Sequence, residues 1–136
     1  MSKVIGKNFT KMKQKLDSVG CGFCLAKWTQ VTMHLHDGTT HSCHHPAPHK
    51  IGLRELKKNP TSLHNSLIKK KARKEMLEGK RPSECGYCWK VEDNSDSFSD
   101  RIFKSEESWS KPYFKEIKEL NWREDYLPKY VEVSFS

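Results

Sequence analysis

Five cysteines are the side chains here best suited to chemistry, and their spacing is uneven. In "RPSECGYCWKVED", Cys85 and Cys88 stand two residues apart, which lets both sulfurs turn toward one point. Cys21 and Cys24 repeat that spacing in "CGFC", and Cys43 follows alone in "HSCHH". An odd number argues against a closed disulfide framework, and paired cysteines in a reducing compartment are metal ligands or redox groups. Four thiolates complete either a tetrahedral zinc site or an iron–sulfur cluster. Cys85 and Cys88 give one pair; the other is Cys24 with Cys43, or Cys21 with Cys24. On spacing alone, two C-x-x-C units point to Zn2+.

Other reactive side chains surround these thiols. His41, His44, His45 and His49 crowd around Cys43, and imidazole is a common metal ligand. Four cysteines already fill a site, so these histidines are read as exposed or hydrogen-bonded groups. Trp28, Tyr87 and Trp89 could keep water from a metal or serve as ordinary packing. Glu92 and Arg101 are expected to pair locally. No Ser/His/Asp order, glycine-rich phosphate loop or paired-carboxylate pattern stands out, so no catalytic residue is assigned.

Behind the thiols, the pattern suggests small elements. The run "WTQVTMHLHDGTTHSC" alternates, with Val31, Met33 and Leu35 on one face and Thr32, His34 and His36 on the other. Asp37-Gly38 suits a type I′ turn, giving a hairpin whose return strand ends at Cys43 beside Cys24. A helix follows, with Asn59 or Thr61 as cap, Pro60 in its first turn and Gly79 as its stop. Leu63, Leu67, Ile68, Ala72 and Met76 form its apolar face, and Lys69, Lys70, Lys71 and Lys74 its solvent face. Cys85 and Cys88 then lie on a tight turn, "NSDSFSDR" reads as a polar loop, and a second helix spans Lys111–Leu120. Ser110 caps that helix, and Phe114, Ile117 and Leu120 are its buried side. Residues 1–20 look like a basic, loosely attached arm with one short helix around Lys11–Leu16. "KYVEVSFS" alternates as a terminal strand, and a chain stopping on a strand is expected to be cut from something longer.

Composition limits the core. Only 35% of residues are hydrophobic and 31% are charged, a balance that suits a small domain stapled by a metal. No apolar run spans a bilayer and the start lacks a secretory signal, so a cytoplasmic location and no membrane partner are expected. The formal charge of +8 favours an anionic partner, nucleic acid included, although lysines on a solvated helix face give the same total.

The order of the cysteines and their surroundings resembles the SPASM domain of radical S-adenosylmethionine enzymes and its shortened relative, the Twitch domain. The resemblance rests on Cys24, Gly38 four residues before Cys43, an intervening helix, and Cys85-x-x-Cys88. Around these stand Trp28, Asn65-Ser66, Arg73, Met76-Leu77 and Gly79. Pro82, Glu92, Ser99 and Arg101 complete the pattern, which covers roughly residues 21–101. The resemblance implies an α+β fold: a β-hairpin and helices around one auxiliary [4Fe-4S] cluster held by Cys24, Cys43, Cys85 and Cys88. Cys21 is then a spare, and backbone N–H groups near Gly38 and Gly86, with Arg73 and nearby lysines, would tune the cluster. It divides the chain into an arm (1–20), a cluster domain (21–104), and a helix and first strand (105–136) leading into a missing barrel. That barrel would carry S-adenosylmethionine and the catalytic C-x3-C-x2-C motif, so this region alone would not be catalytic. With four protein ligands, the cluster serves electron relay or structural support. The parent enzyme would modify a peptide or small molecule. The alternative is a zinc-binding basic module that contacts nucleic acid.

Overall fold

The chain opens on a helix that belongs to the core. α1 (Lys3–Val19) buries Met12 and Leu16, four residues apart and so on one helical face. The expected loose arm is therefore an integral helix, and the short helix expected inside it is only its middle. The computed structural model describes residues 3–135; the first two residues of the arm and the last of the terminal strand lie outside the described residues.

α2 (Ala26–Thr29) is one turn that leads directly into β1 (Gln30–His34), which pairs antiparallel with β2 (Thr39–His41). The expected hairpin is present, with a different turn. Gly38 has a left-handed φ of +71°, while Asp37 does not share it. Asp37 instead accepts hydrogen bonds from Thr39 N (3.0 Å) and Oγ1 (2.7 Å), and Gly38 N donates to His34 O (2.9 Å). This longer loop replaces the type I′ pair, and the return strand stops at His41, two residues short of Cys43.

β3 (His49–Lys50) lies outside β2, followed by the exposed α3 (Leu53–Lys58). α4 (Leu67–Leu77) begins later than its sequence pattern suggests. Ser66 caps it, accepting from Lys69 N at 3.1 Å, while Asn59 and Thr61 are spent on the preceding turn. The buried face is consequently Lys69, Ala72, Arg73 and Met76, and Leu67 and Ile68 face solvent. Lys69, expected outside, is accommodated because its Nζ donates to Thr40 Oγ1 (2.8 Å) and Leu63 O (2.7 Å). Burial, with Arg73 and Lys27 nearby, pushes its pKa down to about 6.

α5 (Gly86–Asn94) starts at the C-x-x-C pair, and α6 (Asp100–Glu106) begins at the end of the run read as a polar loop. A 3₁₀ turn over Lys111–Tyr113 precedes α7 (Phe114–Glu119). Phe114 and Ile117 are buried as expected, but Leu120 is exposed. Ser110 makes no capping bond there; its hydroxyl meets Thr29 Oγ1 at 2.9 Å.

β4 (Tyr130–Ser134) closes the mixed sheet in the order β3-β2-β1-β4, parallel to β1 with Gln30 opposite Tyr130 and His34 opposite Ser134. The terminal strand assigned to a missing barrel thus pairs within this sheet, on the edge of β1 that β2 leaves open. Among the described residues there are seven α-helices and four strands, and the fold is α+β. Its aromatic centre packs Phe23 against Trp28 (5.1 Å between ring centroids) and Trp122 (4.9 Å), so one core draws on all three expected segments. Among the described residues, no helix is long and apolar enough to cross a membrane.

Candidate metal centre

Four of the five cysteines meet. Cys24 lies in the turn before α2, Cys43 two residues beyond β2, Cys85 at the end of a 3₁₀ turn (Ser83–Cys85), and Cys88 in the first turn of α5. All four line one small cavity with ≈ 20 Å³ of open space, too little for an organic cofactor. No cysteine is in a disulfide. Cys21 stands apart: it is exposed, and its thiol donates to Gly79 O at 3.2 Å. Cys24, and not Cys21, lines the cavity together with Cys43.

Two glycines bring the strands of chain together. A Cβ on Gly22 would lie 2.1 Å from Lys80 O, and one on Gly20 would lie 2.6 Å from Met76 O. Only with hydrogen at these positions can the segment before Cys24 touch the segment before Cys85. From the other side, Arg101 holds the same loop by donating to Phe23 O at 2.9 Å. Its guanidinium also pairs with both oxygens of Glu92 (2.6 and 2.9 Å) and with Asp17 (2.7 Å). The expected Glu92–Arg101 pair is thus a buried strut beneath the thiols.

Arg73 does comparable work elsewhere. It donates to Asn65 Oδ1 (2.7 Å), Lys27 O (3.0 Å), His64 O (2.9 Å) and Glu124 O (2.9 Å), and does not line the cavity. The expectation that Arg73 offsets thiolate charge is corrected: Lys27, Arg101 and Lys104 line the cavity instead. Lys27, only 2% exposed, lies between Ser42 Oγ (2.9 Å) and Glu84 (3.1 Å). Burial opposes its charge, but Cys85 and Glu84 outweigh that and raise its pKa. Because Lys27, Lys69, Arg73 and Arg101 are all buried, the formal charge of +8 overstates the basic surface.

Burial dominates the electrostatics of the thiols. It and the neighbouring Cys43, Cys85 and Cys88 push the Cys24 thiol up to about 12. Burial likewise lifts Cys88 to about 11 and raises Cys43 and Cys85. Several donors work the other way: the His45 backbone N–H on Cys43, the Arg101 backbone N–H and Ser99 hydroxyl on Cys88, and the Lys27 ammonium on Cys85. These replace the N–H groups of Gly38 and Gly86, which are already engaged by His34 O and Ser83 O. Without metal the four groups are neutral thiols at pH 7, and loading a metal releases protons.

At the mouth of the cavity, His45 Nε2 bonds Asp100 Oδ2 while its ring stacks on Tyr87 (3.8 Å, 11°). His44 Nε2 lies 3.9 Å from the same carboxylate oxygen. Among the described residues, these three form the set of His, Cys, Asp or Glu ligand atoms lying within 4.8 Å of one another. No three of the cysteine sulfurs are that close. His41 and His49 are tied elsewhere, His41 to His34 (3.0 Å) and the Cys43 carbonyl (2.6 Å), His49 to Ser66 Oγ (2.8 Å). Trp89 lines the cavity and donates to Pro82 O at 2.8 Å, whereas Trp28 sits in the core.

No family model, curated protein or solved structure matches this chain. The donor set itself carries the chemistry: two buried cysteines (Cys85 and Cys88) and two half-buried ones (Cys24 and Cys43), flanked by cations around one small cavity. Lys27, Lys104 and Asp100 are the contributors that sequence reasoning missed, while His45 is hydrogen-bonded as expected. Nothing in the sequence separates Lys27 from the other 24 basic residues. Asp100 had one signal, its place beside the Ser99–Arg101 pair.

Proposed function

We propose that Cys24, Cys43, Cys85 and Cys88 hold a [4Fe-4S] cluster, and that the chain is the SPASM- or Twitch-like auxiliary region of a radical S-adenosylmethionine enzyme. The observation that carries this reading is the convergence of four cysteines from three separate segments on one cavity. Their separation favours a cluster over a single ion. Tetrahedral zinc, with Zn–S near ~2.3 Å, draws its sulfurs to within about 4 Å of each other, while thiolates on a cluster each bind a different iron and stand wider. Here no three sulfurs fall within 4.8 Å.

When bound, such a cluster supplies one-electron transfer. The chain's own groups set the conditions for it. Lys27, Arg101 and Lys104 offset thiolate charge, and the N–H groups of His45 and Arg101 donate to the sulfurs, both of which favour the reduced state. All four ligands come from protein, so relay or structural support suits the site better than substrate binding at iron. S-adenosylmethionine would belong to a partner barrel, and the exposed Val131 and Val133 of β4, with the exposed Phe135 just after it, suit such a neighbour.

Anaerobic reconstitution with iron and sulfide tests the reading. A brown protein with about four irons per chain and an electron paramagnetic resonance signal on reduction is expected. A colourless protein that takes one zinc and refuses iron overturns it.

A further inference from the structure

Beside the thiol cavity lies a second cleft of ≈ 240 Å³, walled by the sheet face that carries Gln30 and Thr32 of β1 and Tyr130 and Glu132 of β4. This is below the ~300–1,000 Å³ of sites for drug-sized ligands, so its occupant is small. Gln30 sets the chemistry. Gln30 is 6% exposed, yet its buried Oε1 has no hydrogen-bond partner among the described residues. A buried amide oxygen left alone is costly and calls for a donor.

The surroundings specify what kind of donor. Glu107 and Glu132 bring two carboxylates to the cleft, and the rings of Trp109 and Tyr130 lie against each other at 5.0 Å. Carboxylates, an amide oxygen and aromatic faces all attract an N–H cation. The opposite charge is present as well, on the side toward the thiols. Lys104 lines both cavities, and His44 reaches toward Asp100, which lines the thiol cavity. The cleft is thus basic next to the thiols, with acidic and aromatic groups beyond.

We propose that this cleft binds a free α-amino acid as its zwitterion. Turning the Gln30 amide end for end presents Oε1 to the cleft, where the ammonium group donates to it and faces Glu107 and Glu132; the carboxylate meets Lys104 and His44. The site requires no metal in the thiol cavity and stands whether iron or zinc fills it.

The full chain is titrated with glycine, L-alanine, L-serine, L-glutamate and L-lysine, followed by ligand-observed NMR and tryptophan fluorescence. Ethylamine and propionate, which each carry one end of alanine, serve as controls. At least one amino acid binds with a dissociation constant on the order of millimolar or tighter, and both controls bind about tenfold more weakly. Gln30→Leu and Glu132→Gln each weaken binding about fivefold or more. Glu107→Gln, at an exposed position, provides the same readout should Gln30→Leu disturb folding. The proposal is overturned if none of the five amino acids binds at about 10 mM, if ethylamine binds as well as alanine, or if the Glu132 and Glu107 variants bind unchanged.

Discussion

Replacing Arg101 with methionine removes the strut beneath the thiols while keeping much of its volume. Both partners of the main pair are buried, with Arg101 2% and Glu92 7% exposed in their side chains. Deleting one member strands the other's charge, which costs about 3–5 kcal/mol. The Asp17 arm adds little, because that carboxylate is 35% exposed and screened by solvent. Against a total stability of about 5–15 kcal/mol, Arg101→Met consumes a large share and lowers the melting midpoint by roughly 10–20 °C. Urea unfolding of the metal-free protein gives the energy directly. Glu92→Leu combined with Arg101→Met recovers part of the loss, since no lone carboxylate remains. Acid provides a second reading. Burial raises the Glu92 pKa, but hydrogen bonds from Arg101 and Ser99 outweigh it and hold it below the ordinary value. Stability from this group is therefore present above the usual carboxylate pKa and lost as pH falls through the folded one, and Arg101→Met removes that acid dependence. A loss below about 1 kcal/mol, or a double variant as weak as the single one, would refute the strut.

Three further outcomes follow from the geometry. Lys69 has a folded pKa of about 6, far below its ordinary value, so the unfolded chain binds more protons between those values. Stability consequently rises with pH across that window, and Lys69→Met flattens the rise in urea midpoints measured from pH 6 to 9. Cys24→Ser loses most of the iron and sulfide retained after reconstitution, whereas Cys21→Ser, outside the cavity, keeps the full load; equal losses in both would sink the assignment of ligands. Gly22→Ala forces a methyl against Lys80 O and Arg81 Cα, costs about 1–3 kcal/mol by chemical denaturation and lowers iron retention, while Gly6→Ala, with nothing within 4 Å, leaves both intact.

The thiols and the hairpin were legible because their signals are local: C-x-x-C spacing and a short alternating run. Lys69 and Lys27 were not. A lysine reads as a surface residue until hydroxyls, carbonyls or carboxylates are found around its amine, and those acceptors come from distant parts of the chain. α1 was underread because Phe9, Met12, Leu16 and Val19 are its few core-facing residues, spaced among lysines that mask the period. α4 was placed too early because Pro60 and Thr61 suit a helix start, while Ser66 wins by capping closer to the packed turns. Glu92, Ser99 and Arg101 were picked out by resemblance as residues. Their service as a strut depends on Phe23 and Asp17, far away in sequence.

The pairing of β1 with β4 joins positions about a hundred residues apart. During synthesis the ribosome delivers β1 and β2 long before the strand that covers β1, so the hairpin must wait with one row of backbone donors and acceptors bare. Until then it is open to pairing with other emerging chains, and dense translation of this message would favour such mispairing over slow translation.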